Sequence, residues 1–192
     1  GQTILFANDL STAALTTTGN GYNLALVGAN THVTSATNFL NTGTLTLGNS
    51  SADVLAFDGG LVATAPSALS LGGTVSTTNT AMTLGDNNTA LVLNSDLTLS
   101  TAGGAMAING AVNGTTANTQ SLTLNGGAAG TVGVTGAIGQ TTSLNTLTLT
   151  HSNGASFNGP VTADTAVVLT NTSAGQTILF ANDLSTAALT TT

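Results

Sequence analysis

Short runs of alternating apolar and polar residues recur along almost the whole chain. Thr44-Leu45-Thr46-Leu47, Asp53-Val54-Leu55-Ala56-Phe57, Asp96-Leu97-Thr98-Leu99, Ser121-Leu122-Thr123-Leu124 and Thr146-Leu147-Thr148-Leu149 each gather apolar side chains on one face, leaving mostly Thr, Ser or Asp on the other. Successive side chains of an extended strand point in opposite directions, so the pattern predicts short, half-buried β-strands. Between the runs lie Asn20-Gly21, Asp58-Gly59, Asn109-Gly110, Asn113-Gly114, Asn125-Gly126, Asn153-Gly154 and Asn158-Gly159. Gly and Asn tolerate positive φ and predict turns there. Helical spacing with a cap and a stop is found nowhere, and the helix formers Glu, Lys and Arg are absent.

A longer rhythm runs through these strands. Leu followed by Thr or Ser opens a run at Leu15, Leu45, Leu69, Leu97, Leu122, Leu147, Leu169 and Leu189. The steps between them vary, and the longest are Leu15 to Leu45 and Leu69 to Leu97. This register predicts seven coils averaging about 25 residues, with eight coils near 22 as the alternative. One such coil cannot bury its apolar face alone. Stacked about 4.8 Å apart, coils pair edge to edge and enclose an aliphatic column. The expected fold is therefore all-β, a parallel β-helix or β-solenoid. An immunoglobulin-like sandwich is the rival, but a single Tyr, no Trp and 24 Gly offer little for the large-residue core of a sandwich.

The longest regularity is an identity. Positions 1–18, GQTILFANDLSTAALTTT, recur without a change at 175–192, so that Gly175 repeats Gly1 and Thr192 repeats Thr18. The expectation is one full solenoid repeat over 1–174, followed over 175–192 by the start of the next. On that view the second copy lies above the first on one axis, in the same local conformation.

Composition removes several functions. The 192 residues contain no Lys, no Arg and no Cys, and their seven acidic residues are all Asp. A surface without cations does not neutralise phosphates, which argues against nucleic-acid partners and against anionic lipid heads. Without thiols there are neither disulfides nor thiolate metal sites. No apolar stretch approaches the length of a membrane-spanning helix, so membrane insertion is not expected. Trp is absent and aromatics are few, so the core is expected to consist of Leu, Val, Ile and Ala.

The stretch LTLSTAGGAMAINGAVNG (97–114), followed by SLTLNGGAAGTVGVTGAIGQTTSLNTLTLT (121–150), resembles the β-strand repeats of very large bacterial surface proteins. These are the filamentous-haemagglutinin-like exoproteins and the autotransporter passenger domains. The similarity lies in a G-A-[VI]-x-G turn after an apolar strand, carried best by Gly110-Ala111-Val112-Asn113-Gly114 and Gly136-Ala137-Ile138-Gly139. The resemblance implies a right-handed β-helix exported to the cell surface and used in adhesion, aggregation or biofilm. It transfers no residue with a defined chemical role.

Candidate chemistry is sparse. Glycoside cleavage needs paired carboxylates across a substrate, and Asp53 and Asp58 merely flank the Val54–Phe57 run; the chain is not expected to be an enzyme. Oxygen-rich turns make Asp86 (Gly85–Asn88) and Asp96 (Asn94–Asp96) weak calcium candidates, although isolated Asp residues near turns more often cap backbone N–H groups. No other cofactor is expected. His32 and His151 each stand without a nearby ligand partner, as surface residues would. N-x-[ST] sequons at Asn49, Asn87, Asn113 and Asn171 are chance-level in so Asn- and Thr-rich a chain. In the Leu-Thr register, Thr16, Thr46, Ser70, Thr98, Thr123, Thr148 and Thr170 form one outer column. Such a column suggests ordered water, but coils of unequal length are expected to break the lattice match that ice binding needs.

The expected role is structural: an extracellular fibre or stalk at the cell surface, built by continuation of the repeat and serving attachment, cell–cell contact or matrix. Its main partner is itself, in the array or by lateral bundling. One alternative is an adhesin shaft recognising a surface glycan through loops at Asn30–Asn41 and Ala111–Gln120. The other is an ice-binding solenoid.

Overall fold

The computed structural model describes all residues, 1–192. The molecule is a β-solenoid: strands and turns with no helix, every strand pairing parallel. Parallel pairing throughout excludes the sandwich. Each coil supplies three parallel ladders in turn. The first ladder stacks Thr3–Phe6, Asn23–Leu26, Thr44–Leu47, the start of Ala68–Ser76, the start of Leu91–Ser100, Val112–Gly114, a bridge at Ile138, the start of Val161–Leu169, and Leu184–Thr186. The second stacks Leu10–Thr12, Asn30–Val33, Val54–Phe57, the ends of Ala68–Ser76 and Leu91–Ser100, Leu122–Asn125, Leu144–His151, the end of Val161–Leu169, and Leu189–Thr191. The third runs Thr37–Asn38, Leu61–Ala63, Met82–Leu84, Met106–Ile108, Val132–Val134, Ala155–Phe157 and Ile178–Phe180.

From Thr3 to Leu184, both in the first ladder, the chain makes eight turns. Over the 174 residues from Ile4 to Ile178 the same ladders give about seven and two-thirds turns, so the count of seven is corrected toward its alternative of eight. Leu15 precedes the third ladder, Leu45 and Leu69 lie in the first, and Leu97, Leu122, Leu147, Leu169 and Leu189 lie in the second. The two longest steps, Leu15 to Leu45 and Leu69 to Leu97, each contain a coil and a further third of a coil. All three ladders carry the same apolar–polar alternation, so a dipeptide identifies an inward residue without identifying its ladder.

One core of 36 buried apolar residues runs the length of the coil stack. Leu26, Leu47, Leu71 and Leu93 stack in the first ladder; Leu55, Val75, Leu99, Leu124 and Leu149 in the second; Ala63, Leu84, Ile108, Val134 and Phe157 in the third. Burying each Leu contributes about 1.5–3 kcal/mol. The expectation of a purely aliphatic core needs amending. Phe39, Phe57 and Phe157 are its largest fully buried side chains, with Phe39 set edge-on against Phe57.

Unequal coil lengths are absorbed at the corners. Ile138 and Leu144 pair with Val161 and Ala163, which are only two positions apart, so Gly139–Ser143 bulges outward without disturbing the stack. The G-A-[VI] motif has a packing cause. Val112, Ile138 and Val161 occupy successive rungs, and the glycines two positions before them, Gly110, Gly136 and Gly159, pile up at one corner. A Cβ on Gly136 would stand 2.3 Å from the Gly110 carbonyl oxygen, and one on Gly159 would stand 2.6 Å from the Gly136 carbonyl carbon. Only glycine lets these corners approach at strand spacing. Asn113-Gly114, read as a turn, ends a strand instead; the Asn113 carboxamide oxygen accepts from the N–H groups of Thr141 and Thr142 in the next coil.

Candidate functional site

The seven carboxylates are spread over the coil corners, where most bind backbone N–H or hydroxyl groups. Asp9 Oδ1 accepts from the Asn30 N–H at 2.9 Å, and Asp96 Oδ1 from the Ser121 N–H at 2.8 Å, each one coil away. Asp53 turns back on its own loop to accept from Asn49 and Ser50. Asp86 accepts from the Asn88 N–H at 2.9 Å and the Thr89 hydroxyl at 2.8 Å, closing an Asx turn. Asp164 takes the Ser143 hydroxyl. The two calcium candidates therefore sit at different corners: Asp86 after the third ladder and Asp96 between the first and second. No three His, Cys, Asp or Glu side chains converge into a group that could hold a metal ion.

One pairing escapes the sequence reading. His32 Nε2 lies 2.8 Å from Asp58 Oδ2, and the Thr78 hydroxyl donates to Asp58 Oδ1 at 2.9 Å. The three residues come from three successive coils and form an outer polar stitch along the axis. Each is separated from the next by roughly one coil length of sequence, which is the signal that could have found them. His151, by contrast, sits on the outer side of the second ladder in register with Asn125.

These contacts lower the pKa of two of the carboxyl groups. The His32 hydrogen bond first, and the Thr78 hydroxyl second, hold Asp58 below the usual aspartate range. The Thr89 hydroxyl and then the Asn88 N–H do the same for Asp86. Because both groups ionise at lower pH in the folded chain, each favours the folded state above the ordinary aspartate pKa. That contribution fades as pH falls through the lowered value. Side-chain carboxyl titration by NMR is expected to place Asp58 and Asp86 below 3.8, the unperturbed aspartate value. Asp58→Asn should flatten the acid loss of stability below that pH. Ordinary titration of both groups would show that these hydrogen bonds do not persist in solution.

The predicted Thr column divides among faces. Thr46 and Ser70 are outward in the first ladder, while Thr98, Thr123 and Thr148 are outward in the second. Thr16 precedes the third ladder, and Thr170 follows the last residue of its strand. The second ladder has its own column: Thr74, Thr98, Thr123 and Thr148 in unbroken register, with Ser76 and Ser100 beside the first two. Val54 and Val168 bound it below and above. Contrary to expectation, the unequal coils do not break this array, since the extra residues leave at the corners.

The predicted contact loops also change. Asn30–Asn41 contains two strands, Asn30–Val33 and Thr37–Asn38. Ala111–Gln120 has a strand near its start. It then closes as a loop when Gln120 Oε1 accepts from the Thr115 and Thr116 N–H groups at 3.0 and 3.1 Å. Of three shallow cavities, one of about 440 Å³ lies along the small outer residues Ala107, Gly133 and Ser156 of the third ladder. Another, about 410 Å³, lies at the open upper end over Leu169–Thr172. Neither is lined by a titratable side chain.

The chain matches no protein-family model, no curated protein and no solved structure. What stands of the resemblance is its coarse part, a β-helix repeat architecture.

Proposed function

We propose that the chain is a segment of a long extracellular shaft whose function belongs to the continuing stack of coils. The observation carrying this reading is the placement of the duplicated segment. Both copies supply edge strands at the open ends of the solenoid: Thr3–Phe6 and Leu10–Thr12 below, and Ile178–Phe180, Leu184–Thr186 and Leu189–Thr191 above. The same eighteen residues thus pair with the coil above them in the first copy and with the coil below them in the second, so one segment is able to join two stacked repeats. The scattered carboxylates, most of them committed to capping the coil corners, agree with a scaffold. The corner-glycine motif carries the resemblance to exported surface proteins, and on that resemblance rests attachment, cell contact or matrix as the setting.

Electron microscopy of a chain of tandem repeats tests this. A uniform thin rod is expected, advancing about 37 Å per repeat at strand spacing. A string of separated globules would refute it. The adhesin reading predicts retention on a glycan array, a plain scaffold none.

A second reading, ice binding, is favoured by one observation, the in-register Thr74–Thr98–Thr123–Thr148 column with its neighbouring serines. Thermal hysteresis abolished by Thr98→Leu and Thr123→Leu together would establish it. Its absence in the parent chain would remove it.

A further inference from the structure

The two identical segments do not occupy the same ladders. In the first copy, Ile4 and Phe6 point inward from the first ladder, Leu10 and Thr12 from the second. Thr17 then lies beneath the third ladder, its hydroxyl donating to the Asn38 carbonyl at 3.0 Å and accepting from the Leu40 N–H at 2.7 Å. In the second copy, Ile178 and Phe180 lie in the third ladder on Ala155 and Phe157. Leu184 and Thr186 lie in the first on Val161 and Ala163, and Leu189 and Thr191 in the second on Val167 and Leu169. All three parts have moved back by one ladder, while the inward and outward alternation is preserved. The second copy is therefore displaced sideways around the axis as well as upward, which corrects the expectation of simple superposition. The offset from Gly1 to Gly175 spans seven coils and two further ladders, about seven and two-thirds turns.

We propose that each open end of the unit is a docking edge for a second copy of the unit rotated by a third of a turn, giving the array a true period of three units. The proposal rests on the shaft reading. Three features of the ends commit the edge to that occupant. In the first copy, Asn23–Leu26 covers Thr3–Phe6 and lays Leu24 and Leu26 over Ile4 and Phe6. The same residues of a following unit would cover Ile178–Phe180, but in the third ladder. Phe180 stacks on Phe157 at 4.7 Å with planes 12° apart. At the lower end the equivalent stack is completed when Phe157 of the preceding unit lies under Phe6, a half-buried residue at that open edge. Finally, Thr192 is equivalent to Thr18, which Gly19–Tyr22 follows. In a following unit that corner would pass over the upper cavity of about 410 Å³, beside which the Thr172 hydroxyl is buried without a partner.

The rotation has a functional result. A side chain present once per repeat appears on three sides of the rod in succession, and returns to its first side after about 23 coils, or about 110 Å at strand spacing. A shaft built this way presents every contact surface in three directions, so a partner meets it from any approach.

The test is a chain of six tandem units, each spanning 1–174, with Ser51→Cys in every unit. Ser51 is exposed at a corner, and the native chain has no cysteine. Maleimide–gold clusters on these thiols, located by cryo-electron microscopy, are expected about 37 Å apart along the rod and about 120° apart around it. The fourth cluster should fall on the same side as the first. A continuous rod with all clusters on one side would overturn the rotation while leaving the shaft intact. Separated globules would overturn both.

Discussion

Phe57→Ala is expected to lower the stability of the solenoid by about 3–5 kcal/mol, the usual cost of emptying a buried Phe site. Phe57 is fully buried and packs edge to face against Phe39, with ring centroids 5.9 Å apart and planes at 83°. The strand below contributes Val33 to the same column, and Phe39 belongs to the facing side of the coil. The cavity therefore opens between two ladders, each held at fixed spacing by its hydrogen bonds, and cannot collapse without breaking them. Urea unfolding followed by circular dichroism measures the loss. In a stack stabilised through nearest-neighbour interfaces the damage should be local, so hydrogen exchange should accelerate most in the coils around positions 33–63. A loss below about 1 kcal/mol would mean that this part of the core is looser than its packing implies. Phe180→Ala, at the open end and only partly buried, should cost less.

Gly133 and Gly136, close neighbours in sequence, should respond in opposite ways to the same substitution. Gly136→Ala is expected to destabilise by more than about 2 kcal/mol. Its Cβ would stand 2.3 Å from the Gly110 oxygen, and because backbone lies on both sides of the contact, neither side can yield without parting the coils. At Gly133 the nearest atom to a Cβ is the Met106 oxygen at 3.8 Å, and the position lies on an outward strand face. Gly133→Ala should be neutral or stabilising by about 0.4–1 kcal/mol, since it restricts the unfolded chain without a clash. Thermal and urea midpoints of the pair decide it. Equal effects would show that the Gly110–Gly136–Gly159 corner is not close-packed.

The legibility of this fold follows from what a strand pattern encodes. Alternation at Thr44–Leu47 or Ser121–Leu124 reveals which residues point inward, and those assignments hold in the structure. It contains no label for the ladder. Leu69 and Leu97 look alike in sequence but lie in the first and second ladders, and the missing two-thirds of a coil arises there and at Leu15. The corner glycines are visible as a motif, but their cause, one carbonyl against the next glycine, needs the coil register. The His32–Asp58–Thr78 stitch is hidden for the same reason, because its members become neighbours only once the coil length is known. Asp86 and Asp96 stand out as oxygen-rich turns, and a one-dimensional reading does not say which N–H groups each carboxylate already accepts.

The parallel ladders also fix how the rod carries load. Their hydrogen bonds run along the long axis, so tension applied at the two ends does not shear many bonds at once. It peels coils away in sequence from the ends. Each coil surrendered replaces about 4.8 Å of rod with about 75 Å of extended chain. Under pulling, the rod should lengthen more than tenfold over the coils it yields, at a nearly constant force, and rewind from the coils still stacked when the load is released. A rod built this way combines stiffness at rest with a long reserve of slack.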